Sequence, residues 1–293
     1  MKPPGFGYHR PGSLPDALAL LGAHPGAKPL AGGQSLIPAM NFRLAAPAAL
    51  VDLNQLTELS GIAESADGGL AIGAMTRHSA VERSDLVRAR APLLSLAMPF
   101  IAHSQIRSRG TLGGSLAHAD PAAELPAVMV ALDARLAVES TRGSRVIPAA
   151  EFFTGLFATA LEPGELITRV EIPPALPQSG AAFLELSRRH GDYALVGVAV
   201  VVTRDAGRVG GARIVLFSVG EGPVRAGAAE RALSGGLGDA GAIRAAAEAV
   251  QQDIDPPSDI HASAAYRRQL ASVLTGRALT AAFARAAHAV PEE

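Results

Sequence analysis

No cysteine occurs among the 293 residues. That absence excludes structural disulfides, thiolate zinc sites, iron–sulfur clusters ligated by this chain and cysteinyl attachment of a flavin. An excess of charge is missing too: 26 lysines and arginines stand against 27 aspartates and glutamates, for a net charge of -1. This balance leaves no electrostatic footprint for nucleic acid or an anionic membrane. The densest basic group, Arg107 and Arg109 with Arg188 and Arg189, is too small to read as DNA binding. Long apolar runs are lacking as well. The longest, Ala194 to Val202, falls far short of the roughly 20 residues that cross a bilayer and reads as a buried strand. The N-terminal stretch Met1 to Gly12 holds three prolines and three glycines and no apolar signal-peptide core, so the expected location is the cytoplasm, with no membrane span.

Catalytic signatures are equally scarce. There is no Gly-x-Ser-x-Gly nucleophile elbow and no HExxH. No Lys-Ser/Thr ends a phosphate loop and no aspartate cluster is placed to hold magnesium, which disfavours phosphoryl transfer. A formal GxGxxG at Gly236 to Gly241 follows a helical stretch instead of a strand and reads as an inter-helix turn. The chain reads as a holder of a cofactor that performs the chemistry.

What is present is a pair of glycine-rich segments, Ala31-Gly32-Gly33-Gln34-Ser35 and Thr111-Leu112-Gly113-Gly114-Ser115. Adjacent glycines let the backbone turn sharply and bring N–H groups close to an oxygen-rich ligand, a diphosphate above all. Either segment alone is compatible with an ordinary turn. Two of the same design favour one ligand gripped from both sides. Arg107 and Arg109 precede the second segment and read either as diphosphate partners or as surface or subunit-contact residues. His118, Asp120 and Glu124 follow it; they read as a metal or acid–base set, or as hydrogen-bond partners of ribityl hydroxyls and a flavin edge. Tyr193, one of three tyrosines, reads either as a core residue or as an aromatic face over a planar ring.

Periodicity predicts a helix over 13–23, capped by Ser13, a strand over 28–31 and a helical turn over 36–43. Strands are expected at 49–53 and 70–74, and a helical stretch over 79–102 broken at Pro92 and Pro99. A helix over 125–131 and a hairpin of 134–140 with 144–147 follow. Pro173, Pro174 and the Leu176–Gly180 stretch form the clearest linker. Beyond it, three strands (183–186, 194–203, 212–219) and helices over 226–233, 240–251, 263–274 and 279–288 suggest an α+β module with an antiparallel sheet.

At these residues the chain resembles the FAD-binding medium subunit of bacterial molybdenum hydroxylases, a family that includes the flavoprotein subunits of carbon monoxide dehydrogenase and the corresponding domain of xanthine dehydrogenase. The resemblance runs through AGGQSLIPAMNFRL, LVDLNQLTELSGI, QIRSRGTLGGSLAHADPAAELPA, GELITRVEIP and SRRHGDYALVGVAV, in order and over essentially the whole length. It implies an α+β chain: an FAD-binding module of the vanillyl-alcohol-oxidase type over 1–175, with two α/β subdomains (roughly 1–55 and 56–175), then a C-terminal α+β domain over 176–293. It further implies that Ala31, Gly32, Gly33, Gln34 and Ser35 hold the FAD diphosphate from one side, and that Thr111, Gly113, Gly114 and Ser115 complete the grip. By the same resemblance His118, Asp120 and Glu124 contact the ribityl chain and neighbouring groups. Leu166 or Ile167 lends backbone contacts to the isoalloxazine edge, Ile101 packs near the flavin, and Tyr193 covers one ring face. Ser115 stands where many relatives carry Asp or Asn, and Gln34 where some carry histidine. The cysteine-bearing insertion of the benzoyl-CoA-reductase branch is absent, which disfavours that branch.

The implied partners are a large subunit with the molybdenum cofactor and a small 2Fe-2S subunit, in a dimer of heterotrimers, with quinone, NAD or dioxygen as electron acceptor. An autonomous FAD-dependent oxidase and a flavin-free scaffold subunit are the alternatives.

Overall fold

The computed structural model describes residues 2–288. The first subdomain comprises β1 (Gly7–His9), α1 (Leu14–Ala23), β2 (Ala27–Leu30), α2 (Leu36–Asn41) and β3 (Ala49–Asp52), with the strands paired parallel in the order β1-β3-β2. Ser13 caps α1 by accepting from the Asp16 amide at 3.3 Å, and Leu18 and Leu21 bury the inner face.

The second subdomain contains β4 (Ile62–Glu64), β5 (Leu70–Gly73), α3 (His78–Arg83), α4 (Asp85–Arg90), α5 (Pro92–Ala97), α6 (Ser104–Arg107), α7 (Leu112–His118), α8 (Glu124–Ala131), β6 (Arg135–Ser140), β7 (Gly143–Pro148), α9 (Ala149–Phe152), β8 (Phe153–Gly155), β9 (Ala158–Thr159) and β10 (Leu166–Ile172). Its antiparallel five-stranded sheet has the order β4-β5-β10-β6-β7. The helical stretch expected over 79–102 is three α-helices followed by a 3-10 turn at Met98–Phe100 that holds Pro99. Pro92 opens α5 at a position where its missing N–H costs nothing. A further break falls at Ser84, whose hydroxyl caps α4 by accepting from Val87 N at 3.2 Å.

After Pro173 and Pro174 the chain turns into β11 (Ser179–Ser187), β12 (Ala194–Asp205), β13 (Arg208–Phe217), β14 (Val224–Arg225), α10 (Gly227–Leu233), α11 (Ala240–Ala249) and α12 (Ala264–His288). The four strands form an antiparallel meander. Where two helices were expected over 263–288, α12 is continuous through Gly276. The single glycine costs about 1 kcal/mol of helix propensity and does not break the helix; a Cβ there would lie at ordinary contact distance, 3.5 Å, from the Ala247 methyl of α11. Residues 236–241 turn between α10 and α11, with Gly238 at φ +64° and Asp239 capping α11.

The sheet of this C-terminal domain is covered on both faces, which is why β12 reads as a nearly continuous apolar run. Val196, Val198, Val200 and Val202 pack with α10–α12. Ala199 and Phe217, with Phe183 of β11, join the core of the second subdomain. The two halves of the molecule thus share one hydrophobic seam.

Candidate functional site

The first glycine segment leaves β2 at Leu30 and enters α2 at Leu36. Gly33 has φ +72°, the left-handed region that only glycine adopts readily. Among the described residues, none accepts a hydrogen bond from the backbone N–H groups of Gly32, Gly33, Gln34 or Ser35. Gln34 turns inward, its Nε2 donating to the Gly32 carbonyl at 3.1 Å, while Ser35 is exposed. Behind the segment stands a polar network. Asn54 Nδ2 donates to the Ala31 carbonyl (3.0 Å) and to Asp52 Oδ1 (2.5 Å), and the Tyr8 hydroxyl donates to Asp52 Oδ2 at 2.5 Å. Burial pushes the Asp52 carboxyl up, but hydrogen bonds from Tyr8 and Asn54 outweigh it and hold the group below its ordinary value. Arg77 donates to Asn54 Oδ1 at 2.5 Å and also to the Arg109 carbonyl. That carbonyl closes the gap to Gly32, where a Cβ would lie 2.3 Å from it and 2.8 Å from Gly110 Cα.

The second segment is not a loop with open amides. Gly113 and Gly114 lie in the first turn of α7, and each nearby N–H is engaged within the chain. Leu112 N donates to the Thr76 carbonyl at 3.0 Å and Gly113 N to the Ala74 carbonyl at 2.8 Å. Gly114 N donates to Thr111 Oγ1 at 3.1 Å, and Ser115 N to the Thr111 carbonyl at 3.1 Å. Gly113 is small for packing: a Cβ would fall 2.6 Å from the Ala74 methyl. At Gly114 a Cβ would lie 3.5 Å from the Ala31 methyl, so the two segments touch. Ahead of α7, buried His78 donates from Nε2 to the Thr111 carbonyl at 2.9 Å, and burial lowers its pKa to about 4. Arg107 is committed to Glu82 (2.8 and 3.0 Å) and to the carbonyls of Ile101 and Ala102, which leaves it no role with a diphosphate.

Ala119, at φ +50°, turns the chain out of α7 toward Asp120 and Glu124. The His118 ring packs on Phe157, with centroids 5.2 Å apart. Asp120 Oδ1 accepts from Ala122 N at 2.9 Å. Glu124 opens α8 at 8% exposure without a side-chain partner among the described residues, and burial, then Asp120, raises its pKa to about 7. Among the described residues no three His, Asp or Glu side chains are grouped to hold a metal.

Tyr193 is 69% exposed and so is not a core residue. Desolvation of its hydroxyl, then the charges of Asp120 and Glu124, raise its pKa. The backbone makes the link directly. Ser218 N donates to the Pro121 carbonyl at 2.8 Å and Ser218 Oγ to the Ala194 carbonyl at 2.8 Å. Ile101 is buried in the core that also holds Ile167, whereas Leu166 packs with the first subdomain. Strand β5 pairs with β10 only from Arg169 onward, so the backbone at Leu166 and Ile167 is laddered to β6 alone.

Ala31–Ser35 and Thr111–Ser115 are therefore brought together, and Asp120, Glu124 and Tyr193 form a second group. Sequence reasoning missed Asp52, Asn54, Arg77 and His78, which brace the two segments. The one available signal was an aspartate inside the apolar strand Ala49–Asp52.

Two glycine segments lying side by side, with unpaired amides on one of them, fit the diphosphate of a flavin dinucleotide. The family described as "FAD binding domain in molybdopterin dehydrogenase" matches residues 4–175, and "CO dehydrogenase flavoprotein C-terminal domain" matches residues 181–282. The chain belongs to this family of flavoproteins. It is 46% identical over 288 residues to the 6-hydroxypseudooxynicotine dehydrogenase complex subunit alpha of Paenarthrobacter nicotinovorans, covering 98% of this chain and 97% of that one. Its fold is similar to that of carbon monoxide dehydrogenase from Hydrogenophaga pseudoflava, with TM-score 0.94, 42% identity, and 97% and 99% of the two chains covered. Quinoline 2-oxidoreductase from Pseudomonas putida 86 gives TM-score 0.92 at 40% identity, with 99% of each chain covered. No helix among the described residues is long and apolar enough to cross a membrane.

Proposed function

We propose that this chain is the FAD-carrying subunit of a cytoplasmic molybdenum hydroxylase, built as a dimer of heterotrimers with a large molybdenum-cofactor subunit and a small 2Fe-2S subunit. When bound, FAD supplies the exchange of electrons between the iron–sulfur clusters and an external acceptor: quinone, NAD or dioxygen. The functional division of the chain is 1–175 for cofactor binding and 176–293 for the C-terminal α+β domain of the flavoprotein subunit.

The observation that carries this reading is the run of unpaired amides from Gly32 to Ser35. Such successive N–H groups form a concavity suited to an anion, and they would hold the diphosphate of FAD. Ala31 is fixed from behind by Asn54, so the concavity is set before the ligand arrives. The second segment contributes shape: Gly114 leaves room for the Thr111 hydroxyl that caps α7, where a Cβ would lie 2.7 Å from Oγ1, and the Ser115 hydroxyl, without a partner among the described residues, is available to the ligand. His118, Asp120 and Glu124 would contact the ribityl chain, the backbone of Leu166 or Ile167 would contact the isoalloxazine edge, Ile101 would pack near the flavin and Tyr193 would cover one ring face. No side chain here acts as acid or base toward the primary substrate.

The test is purification of the chain with its neighbours. The visible spectrum of oxidised flavin at one FAD per chain, with a larger and a smaller polypeptide co-purifying, is the expected result. Flavin without partners would point to an autonomous oxidase, and partners without flavin to a scaffold.

A further inference from the structure

Where the second subdomain meets the C-terminal domain, a cavity of about 430 Å³ opens beside the Pro173–Pro174 linker. Its floor belongs to the C-terminal sheet. Ala181, Val201 and Arg213 lie in one cross-strand row, and Ser179 pairs with Thr203 in the next row of the same face. Ala181 and Val201 are on the side that packs against the second subdomain. From that subdomain α5 supplies Pro92, Leu93 and Leu96, and the linker supplies Pro173, Pro174 and Leu176. A Cβ at Gly180 would lie 2.0 Å from the Ala282 carbonyl oxygen, so α12 packs hard against β11 here. About one turn further along α12, Arg285 donates to the Ala181 carbonyl of this edge strand.

The charge around this apolar space is one-sided. Arg88, Arg90, Arg213 and Arg285 line the cavity, and no aspartate or glutamate does. Three of the four have carboxylate partners beyond the lining: Arg88 with Asp85 at 2.5 Å, Arg90 with Glu64 at 2.7 Å, and Arg213 with Asp133. Arg285 makes no ion pair among the described residues. Its contact with Ala181 is to a neutral carbonyl, and a guanidinium has further N–H groups to give. One positive charge is left over at the mouth of the cavity. Cavities of this size at a domain interface, apolar apart from a few polar groups that fix orientation, are the usual form of a small-molecule site.

We propose that this cavity binds a small monocarboxylate with an apolar body, its carboxylate held by Arg285 and its hydrocarbon part laid over Leu93, Leu96 and Val201. A planar guanidinium takes a carboxylate through two parallel hydrogen bonds. A dianion gains little more, because the other three arginines already have acids. The cavity shares no residue with the glycine segments or with Asp120, Glu124 and Tyr193. Between Ala194, next to Tyr193, and Thr203 at the cavity, β12 runs roughly 30 Å. An acid bound here therefore leaves the glycine segments free, and it ties α5 to the C-terminal sheet.

Titration calorimetry of the full-length chain with 2-naphthoate and with octanoate tests this. Binding at one site per chain is expected for at least one of the two acids. The neutral alcohol of the same shape should bind about tenfold more weakly, and the corresponding phosphate ester no more tightly than the acid. Arg285→Gln and Leu176→Asp alter exposed residues, so both should fold, and each should weaken the acid by about tenfold or more. Arg244→Gln, an exposed arginine outside the cavity, should change nothing. The urea midpoint should rise with acid concentration in the wild type and stay fixed in Arg285→Gln. No binding of either acid, equal affinity for the alcohol, or affinity unchanged in both cavity variants would overturn the site. Arg285-dependent binding that vanishes when the chain is titrated together with co-purified partners would make the cavity a subunit contact, which overturns it as well.

Discussion

The two glycine segments look alike as text and differ as physics. In the first, the amides from Gly32 to Ser35 are unpaired among the described residues, and Gly33 takes a left-handed φ. In the second, every amide from Leu112 to Ser115 is hydrogen-bonded within the chain, and Gly113 exists to let α7 pack on Ala74. One segment leaves its amides open; the other spends its amides on Ala74, Thr76 and Thr111. A glycine pair signals close approach, but only the destination of its N–H groups says what is being approached.

Substitution can break that distinction. Gly32→Val sets a Cβ 2.3 Å from the Arg109 carbonyl, a backbone clash at the contact between the segments. We expect loss of FAD retention and a destabilisation of about 1–3 kcal/mol, read as the flavin-to-protein ratio and by urea unfolding. Gly33→Val forces a β-branched residue to φ +72°, with strain of about 1–3 kcal/mol and the same loss of flavin. Gly113→Ala, with its methyl 2.6 Å from Ala74 Cβ, should cost a similar amount of stability, about 1–3 kcal/mol. Its folded fraction should nevertheless bind FAD with unchanged affinity. If the affinity of Gly113→Ala fell as far as that of the Gly33 variant, the second segment would be a ligand surface after all.

The same contrast extends to pH. His78, the pin beneath the second segment, has a folded pKa of about 4 against an ordinary 6.5. Its neutral form is the one the fold accepts, so its contribution is complete above about 6.5 and is lost as pH falls toward 4, by at most about 3 kcal/mol. Glu124, in the other group, has a folded pKa of about 7 against 4.5. Its contribution is complete below 4.5 and is lost as pH rises through 7. Urea unfolding across pH should therefore show that Glu124→Gln is more stable than wild type above pH of about 8. His78→Gln, in turn, should flatten the acid limb. A Glu124→Gln profile parallel to wild type would remove the buried-acid account of that site.

Elements with a clear apolar pattern, whether a repeat or a run, were legible from the chain alone. Leu18 and Leu21 repeat at helical spacing after Ser13, and α1 forms there. The apolar run from Ala194 is a strand covered on both faces. The glycine segments and Tyr193 stood out by composition. The bracing residues did not, because their meaning depends on distant partners. Gly113 N meets Ala74, Arg77 joins Asn54 to Arg109, and His78 reaches Thr111, pairings that no local pattern encodes.

The smallest expected effect falls at Thr111, where the two roles meet in one residue. Its Oγ1 caps α7 by accepting from Gly114 N at 3.1 Å, so Thr111→Val, close in shape, leaves that amide without its partner. The loss should be about 1 kcal/mol of stability, seen as a lower urea midpoint, with FAD affinity within twofold of wild type by titration (about 0.4 kcal/mol). The alternative is that the hydroxyl serves the diphosphate. In that case Thr111→Val would release flavin while the urea midpoint stayed where it was. The two outcomes move opposite observables, so this mild variant separates packing from ligation at the second segment more cleanly than the glycine changes, which disturb both.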